Sequence, residues 1–297
     1  MPPILDLAAF RDAYARSVDE VMGFVTPEHQ AVIATHDFAL GPGRFDLGLY
    51  LRASERRYAR LVRLVNTHAL YDFGDLRALE VGGFLGAYPL TLARLGVPVT
   101  LVEHYGYYHD AFDDLAAYLR SAGVTIWDVD FTKALGEPPS RHTLVTNMAM
   151  LEHLADSPRT LMNNLAAATD EHGLLVVEVP NIAYYPKRRQ ALMGRSIHPD
   201  LAATYRSAAP YMGHHREYTR QELLDLLAWT GFAVEEVTLF NYSLSLRRGA
   251  LFERLRALAV DLWPTYIFPS CRELITVVAR PTATQPARMD IDDLPTL

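Results

Sequence analysis

Five short apolar runs alternate with helix-sized segments between residues 76 and 180, and this alternation limits the folds open to the chain more than any other feature. Strands divided by helices form a parallel sheet that is covered on both faces. Two later runs indicate further strands. In order, the seven runs are LRALEV, VPVTLVE, VTIWDV, HTLVTNMAM, GLLVVEVP, AVEEVTLFNY and ELITVVARP. The pattern predicts an α/β fold.

The segments around this alternating region differ from it in pattern. Residues 1–70 carry apolar residues at three- and four-residue spacing, which predicts an N-terminal helical cap. We place the main domain at residues 71–281. Within it, the aromatic and histidine-rich insertion 182–218 is too long for an ordinary connection and is expected to form a lid, and the amphipathic insertion 244–270 is expected to be helical. The proline-containing acidic tail, 282–297, is expected to be disordered.

Composition narrows the classes of partner. The formal net charge of -7 argues against nucleic acid, because phosphate binding needs clustered lysine and arginine. Cys271 is the only cysteine, which excludes an internal disulfide and a cysteine-based zinc site. No apolar stretch approaches the ~20 residues of a membrane span, and no secretory signal is evident. We expect a cytoplasmic protein that acts on a small molecule, and a homo-oligomer is compatible with the sequence.

The stretch LEVGGFLGAYPLTLARLGVPVTLVEHY predicts a strand, a glycine turn, a helix and a second strand that ends on an acid. Gly82 and Gly86 allow backbone to approach a ligand at a helix N-terminus, and Glu103 is placed to accept hydrogen bonds from ribose hydroxyls. The spacing therefore predicts a nucleoside-containing cofactor. Phe84 stands where a dinucleotide site has its second glycine, and the carboxylate of Glu80 would repel a pyrophosphate. Both features favour S-adenosylmethionine, which is cationic at its sulfur and carries no phosphate.

The segment EVGGFLG resembles the first motif of class I S-adenosylmethionine-dependent methyltransferases. Three later segments are similar to that family in the same order, namely LVTNMAMLEHLADSP, GLLVVEVPN and HHREYTRQELLDLLAWTGF. The resemblance covers roughly residues 75–240, and four ordered motifs are far more specific than one glycine turn. It implies a Rossmann-like, seven-stranded, mostly parallel sheet in the order 3-2-1-4-5-7-6, with S-adenosylmethionine at the carboxyl ends of the strands.

The same resemblance implies which residues contact the cofactor. Glu80 would orient the amino end of S-adenosylmethionine or a bound water, and Glu103 would hold the ribose. Asp130 and Phe131 would contact the adenine, with Asp128 as a competing choice for the acid. The other residues predicted to line the cofactor are Gly82, Gly83, Gly86, His104 and Asn147.

The sequence also offers candidates for the acceptor side of the reaction. Methyl transfer to an oxygen of a small-molecule or sugar-like acceptor, in preference to a nitrogen, needs a base, and histidine is suited to that task near neutral pH. We predict His214 as the base, ahead of His153 and His215. We predict no metal ion, because adjacent histidines point in different directions. Glu152 and His153 have a second interpretation as caps of the following helix.

Two other classes of function fit parts of the pattern. One is a noncatalytic subunit that keeps the methyltransferase fold, which the intact glycine turn and Glu103 argue against. The other is a nicotinamide-dependent oxidoreductase, which Phe84 disfavours. Arg56 and Arg57 could form a solvated helix face or a clamp for the cofactor's carboxylate, and we interpret them as a solvated face.

Overall fold

All seven predicted strands are present in the computed structural model, which describes residues 4–70, 73–135, 138, 140–242 and 263–282. They are β1 (Ala78–Val81), β2 (Val99–Val102), β3 (Val124–Trp127), β4 (His142–Met148), β5 (Thr169–Pro180), β6 (Phe232–Phe240) and β7 (Leu274–Pro281). They form one sheet in the order β3-β2-β1-β4-β5-β7-β6. Neighbours from β3 to β5 run parallel, and β7 is antiparallel to β5 and β6. The predicted fold class and strand order are confirmed.

Several of the helices begin where the sequence supplies a capping side chain. They are α1 (Leu7–Gly23), α2 (Pro27–His36), α3 (Leu47–His68), α4 (Ala87–Arg94), α5 (Asp113–Ser121), α6 (Arg159–Ala168), α7 (Tyr185–Leu192), α8 (Leu201–Arg206), α9 (Arg220–Trp229) and α10 (Trp263–Ile267). Asp6, Thr26 and Asp46 each accept a hydrogen bond from an N–H of the helix that follows. α9 begins with a capping box, in which Thr219 and Glu222 bond reciprocally.

The N-terminal helices belong to the same hydrophobic core as the sheet. Phe10 of α1 and Leu61 of α3 are buried in one cluster with Leu144 of β4 and Val176 of β5. On the opposite face, α6 and α9 contribute to a second buried cluster with the strands. Burial of apolar surface on both faces is the main force that stabilises such a layered fold. The division into a cap and a main domain near residue 70 stays a prediction.

A buried ion pair joins α3 to the sheet. Arg57 is 3% exposed, and its Nε donates to Oε1 of Glu178 on β5 at 2.6 Å. Thr276 on β7 donates to the other oxygen of Glu178 at 2.8 Å. The expected solvated face is confirmed for Arg56 and is wrong for Arg57. The reason is a carboxylate 121 positions later in the chain, which compensates the buried guanidinium.

The insertion 182–218 follows β5, contains α7 and α8, and reaches the N-terminal helices. Four hydrogen bonds tie it to the region of α2: Ala208 N to Thr35 O at 2.7 Å, Met212 N to His36 O at 2.9 Å, Phe38 N to Ser207 Oγ at 2.9 Å, and His36 Nδ1 to Pro210 O at 3.0 Å. Several large apolar side chains of this insertion are exposed, among them Leu192 and Tyr205. The expected closure over an acceptor stays a prediction.

Two further predictions concern residues that the structure describes only in part. Of the insertion 244–270, residues 244–262 lie outside the described residues, and the end of the insertion contains α10. Residues 283–297 of the predicted tail also lie outside them. Among the residues that are described, no helix combines the length and the apolar character needed to cross a membrane.

Candidate functional site

The carboxyl ends of four neighbouring strands bring most of the predicted cofactor residues to one edge of the sheet. Val81 of β1, Val102 of β2 and Trp127 of β3 are in register, so the residues that follow these strands leave the sheet side by side. Asn147 of β4 lies against the end of β1, where its Nδ2 donates to Val81 O at 3.2 Å. We call this region the cofactor edge. Ligands of open α/β sheets bind at such an edge.

The glycine turn after β1 has a backbone that few other residues could adopt. Gly82 and Gly86 have φ angles of 77° and 76°, in the left-handed region. The turn also packs closely against the segment after β4, because a Cβ atom at Gly82 would lie 2.5 Å from Cγ of Met150. At Gly83 a Cβ atom would lie 2.6 Å from Cδ1 of Leu101. The turn is therefore fixed in shape and position.

Phe84 shows how the turn is joined to Glu103. It adopts a φ of 54° although it has a side chain, and its N–H donates to Oε2 of Glu103 at 2.8 Å. The N–H of His104 donates to the other oxygen at 3.3 Å. Burial raises the pKa of Glu103 to about 7, against the lowering effect of these two hydrogen bonds. Glu103 as a whole residue is half-buried.

Three buried polar atoms lie beneath this edge with unfilled hydrogen-bonding capacity. Within the described part of the chain, Oε1 of Glu80, Oδ1 of Asn147 and Nη2 of Arg57 have no hydrogen-bond partner. Burial raises the pKa of Glu80 to about 8, although a hydrogen bond from Thr146 and the charge of Arg57 oppose the shift. Buried polar atoms are nearly always paired, so unpaired ones point to a ligand. Two acceptors and one cationic donor fit the amino and carboxylate groups of a methionine moiety.

The residues expected to contact the adenine match only partly what the resemblance implies. Oδ1 of Asp130 already accepts the N–H and the hydroxyl of Thr132, at 2.9 and 2.5 Å. Burial raises the pKa of Asp130, but these hydrogen bonds outweigh it and the net shift is downward. The ring of Phe131 is buried in the core. Oδ1 of Asp128 lies 3.3 Å from Nδ1 of His104, half-exposed, and remains a competing acid.

Glu152, His153 and His214 come together beside the glycine turn, and we call these three residues the Glu–His cluster. Glu152 and His153 lie on a short 3-10 helix, Leu151–His153, that follows Met150, and His214 comes from the end of the insertion. The rings of His153 and His214 are perpendicular, with centroids 4.8 Å apart. Nε2 of His214 lies 3.9 Å from Oε1 of Glu152. The structure thus brings together two of the three predicted base candidates.

The third candidate lies elsewhere. His215 is exposed, and its Nε2 contacts the carbonyl oxygen of Tyr211 at 2.8 Å. The adjacent histidines therefore point apart, as the sequence predicts. What the sequence does not reveal is that His214 pairs instead with His153, which is 61 positions earlier in the chain.

The environment of the Glu–His cluster shifts the pKa values of its three members in different directions. Burial and the nearby His214 lower the pKa of His153 to about 4, so its ring is neutral at neutral pH. Burial raises the pKa of Glu152 to about 7. Burial lowers the pKa of His214, but the hydrogen bond to Glu217 and the charge of Glu152 outweigh it and raise the value. Perturbed groups of this kind concentrate at functional sites.

Glu152 is the functional candidate that sequence reasoning missed. Its interpretation as a helix cap is wrong, since α6 begins at Arg159 and has no side-chain cap. Both of its carboxylate oxygens are buried without a hydrogen-bond partner in the described residues. An acid next to a histidine directly after the fourth strand was the available signal.

Comparisons with known proteins agree with this geometry. A family model described as a methyltransferase domain matches residues 52–237. The chain is similar to the solved structure of the CcbJ methyltransferase from Streptomyces caelestis, with 16% identity, a TM-score of 0.52, and coverage of 88% of this chain and 99% of that chain. That likeness shows the fold alone. No curated protein sequence matches the chain.

Two further solved structures have lower TM-scores. Magnesium protoporphyrin IX methyltransferase (ChlM) from Synechocystis PCC 6803, with bound S-adenosylhomocysteine, is 13% identical and has a TM-score of 0.46, covering 82% of this chain and 90% of that chain. The N-methyltransferase NodS from Bradyrhizobium japonicum WM9, in complex with S-adenosylhomocysteine, is 14% identical and has a TM-score of 0.47, covering 77% of this chain and 87% of that chain.

Proposed function

The chain belongs to the methyltransferase-domain family, and we propose that it transfers the methyl group of S-adenosylmethionine to an oxygen of a small-molecule or sugar-like acceptor. One observation carries the proposal. Met150 packs on Gly82, where a Cβ atom would lie 2.5 Å from its Cγ, and the residues that follow Met150 belong to the Glu–His cluster. A cofactor on the glycine turn therefore has titratable side chains beside it. Family membership sets aside the nicotinamide-dependent alternative, and turnover with an acceptor distinguishes an enzyme from a noncatalytic subunit.

The residues of the cofactor edge bind and orient the cofactor. S-adenosylmethionine supplies a methyl group that its sulfonium already makes electrophilic, so alignment and exclusion of water are the main tasks of the protein. We assign the ribose to Glu103, a half-buried residue, and the amino group to Glu80 and Asn147, each of which has one side-chain oxygen without a hydrogen-bond partner among the described residues. Nη2 of Arg57 is the cationic donor available to the carboxylate.

The remaining residues proposed to line the cofactor shape the site through their backbone and their location. The left-handed turn at Gly82 and Gly86 lets backbone lie against the methionine part, and Gly83 keeps the turn close to β2. His104 follows Glu103 at the end of β2. The adenine lies between this strand end and the loop with Asp130 and Phe131, in the arrangement that the resemblance implies.

His214 is the proposed base. Its Nδ1 lies 3.0 Å from Oε1 of Glu217, which is also paired with Lys187. Because a carboxylate only accepts, Nδ1 of the neutral ring holds the proton and Nε2 keeps its lone pair. As the acceptor oxygen bonds to the methyl group and the bond from sulfur to methyl breaks, the acceptor's proton moves to Nε2. His153 is second in order, because its Nδ1 contacts Met212 O and its pKa is low.

The insertion 182–218 is proposed to close over the acceptor. Its hydrogen bonds tie it to the region of α2, and its C-terminal end carries His214. A long connection at the carboxyl ends of the strands is positioned to exclude water. Limited proteolysis should cut the insertion more slowly when S-adenosylhomocysteine and an acceptor are both present.

Binding and turnover test the proposal together. S-adenosylhomocysteine should raise the melting temperature of the full chain and NAD should leave it unchanged, because only a ligand of the folded state stabilises it. Formation of S-adenosylhomocysteine should then be measured with sugars and small alcohols, and with amines that carry no hydroxyl. Turnover with hydroxyl acceptors is expected. Turnover confined to amines would replace oxygen by nitrogen as the methylated atom, and stabilisation by NAD alone would overturn the proposal.

A further inference from the structure

We propose that the Glu–His cluster, Glu152, His153 and His214, is a binding site for one divalent transition-metal ion such as Zn²⁺. One donor atom from each residue lies within 4.8 Å of the other two. Two histidines and one carboxylate are a donor set that zinc and neighbouring first-row ions accept in proteins. The ligands come from two segments, the 3-10 helix after β4 and the end of the insertion.

Both histidines are oriented as metal ligands are. Nδ1 of His153 lies 2.6 Å from Met212 O, and Nδ1 of His214 lies 3.0 Å from Oε1 of Glu217. Since each of these oxygens only accepts, Nδ1 carries the proton in the neutral ring and Nε2 keeps its lone pair. Metal-binding histidines are characteristically held by such a carbonyl or carboxylate on the far ring nitrogen. The arrangement exists twice in one cluster.

Glu152 provides an independent observation. Its side chain is fully buried, and within the described part of the chain neither oxygen has a hydrogen-bond partner. Oε1 lies 3.9 Å from Nε2 of His214, which is too far for a hydrogen bond. A buried carboxylate is costly unless it is paired, hydrogen-bonded or bound to a metal. An ion between Glu152 and the two imidazoles would compensate this charge.

The size of the cluster fits a small ion after modest adjustment. Zinc bonds to nitrogen and oxygen are about 2.1 Å long, so tetrahedral donors lie about 3.4 Å apart and these side chains would approach one another by about 1 Å. Three protein ligands leave a fourth position open for water or for an oxygen of a second molecule. Magnesium is a poorer candidate, because it prefers oxygen ligands.

Ion binding goes beyond the proposed function and does not depend on it. The ion and the acceptor's proton would use the same lone pair on Nε2 of His214, so the two events exclude each other at any moment. A direct measurement of metal binding requires no methyl transfer. Failure of one proposal therefore leaves the other standing.

Cobalt absorption spectroscopy tests the site on the full chain. The protein is stripped with a chelator, dialysed and titrated with Co²⁺, whose visible absorption strengthens when it is held in a tetrahedral site. One equivalent should produce the absorption, and Zn²⁺ should abolish it by displacement. Glu152→Gln and His214→Gln should each weaken Co²⁺ binding at least about 100-fold, because each removes a ligand, and Glu217→Gln should weaken it about 10-fold.

The matched control is an exposed pair of the same residue types. His172 Nε2 and Glu171 Oε1 lie 3.6 Å apart on the surface, and His172→Gln should bind Co²⁺ within about twofold of the parent protein. Circular dichroism without metal reports whether each variant folds. If Glu152→Gln does not fold, the comparison of His214→Gln with the parent protein tests the site. Absence of the absorption at one equivalent, equal binding by His214→Gln, or loss of binding in His172→Gln would each overturn the proposal.

Discussion

The cofactor edge and the Glu–His cluster are adjacent, but they are held in place by different kinds of interaction. At the cofactor edge the backbone dominates. Gly82 and Gly86 adopt left-handed φ angles, and Glu103 accepts two backbone N–H groups from nearby residues. In the cluster, side chains dominate, and the hydrogen bond from His153 to Met212 O joins residues 59 positions apart.

This difference indicates how the two regions divide the work. A turn fixed by backbone and close packing presents one shape to a ligand, which suits the binding of a constant cofactor. Titratable side chains from distant segments can change their protonation state and their distance from one another, which suits chemistry on an acceptor. Substitutions at the cofactor edge should therefore change cofactor affinity, and substitutions in the cluster should change turnover and leave cofactor affinity unchanged.

The largest effect is expected from Gly82→Ala. The new Cβ would meet Cγ of Met150 at 2.5 Å in a backbone with a φ of 77°. We expect the affinity for S-adenosylhomocysteine to fall about 100-fold or more, equivalent to about 3 kcal/mol, in calorimetric titration. Gly96→Ala is the matched control, because Gly96 has a φ of 78° and nothing within 4 Å of an added Cβ. It should cost about 1–2 kcal/mol in urea denaturation and leave affinity unchanged. Equal affinity in both variants would contradict close packing at Gly82.

His214→Ala should lower turnover about 10²-fold, the usual contribution of a general base. Cofactor affinity should stay within about twofold of the parent value, because the substitution lies outside the cofactor edge. His215→Ala is the control, since His215 is exposed and, among the described residues, its side chain hydrogen-bonds only to Tyr211 O. It should retain near-normal turnover. If His215→Ala loses as much turnover as His214→Ala, the base is misassigned.

Glu103→Gln should weaken binding of S-adenosylhomocysteine by roughly 1–3 kcal/mol, the scale of hydrogen bonds to a charged group. The amide keeps the size of the side chain and one acceptor oxygen, so the fold should persist. Asp128→Asn is the control at the neighbouring strand end and should have less effect. A larger loss in Asp128→Asn would move the ribose contact from β2 to β3.

The sequence predicts the cofactor edge better than it predicts the Glu–His cluster. Gly82 and Glu103 lie within one short stretch whose spacing predicts a cofactor-binding turn, and the resemblance carried by four ordered motifs implies the strand order. Arg57 was wrongly expected to be exposed, because its partner Glu178 lies 121 positions away. Glu152 was missed for a similar reason, since its neighbour His214 comes from another segment. Periodicity reports the average exposure of a helix face and says nothing about such distant pairs.

A separate effect concerns the pH dependence of folding stability. Burial raises the pKa of Glu80 from its ordinary value of 4.5 to about 8. Between these pH values the folded state binds more protons than the unfolded state, so Glu80 makes the free energy of unfolding fall as pH rises, by about 1 kcal/mol per pH unit. Glu80→Gln should lose this dependence in urea denaturation from pH 5 to pH 8. Parallel pH profiles for the variant and the parent protein would show that Glu80 is ionised in the folded state.

The separation of the two regions can be tested in one calorimetric experiment, in which the full chain, Glu103→Gln and His214→Ala are titrated with S-adenosylhomocysteine. We expect one binding site in the parent protein, an affinity about 10-fold or more weaker in Glu103→Gln, and an affinity within about twofold of the parent in His214→Ala. Absence of binding to the parent chain, or equal losses in the two variants, would contradict this expectation.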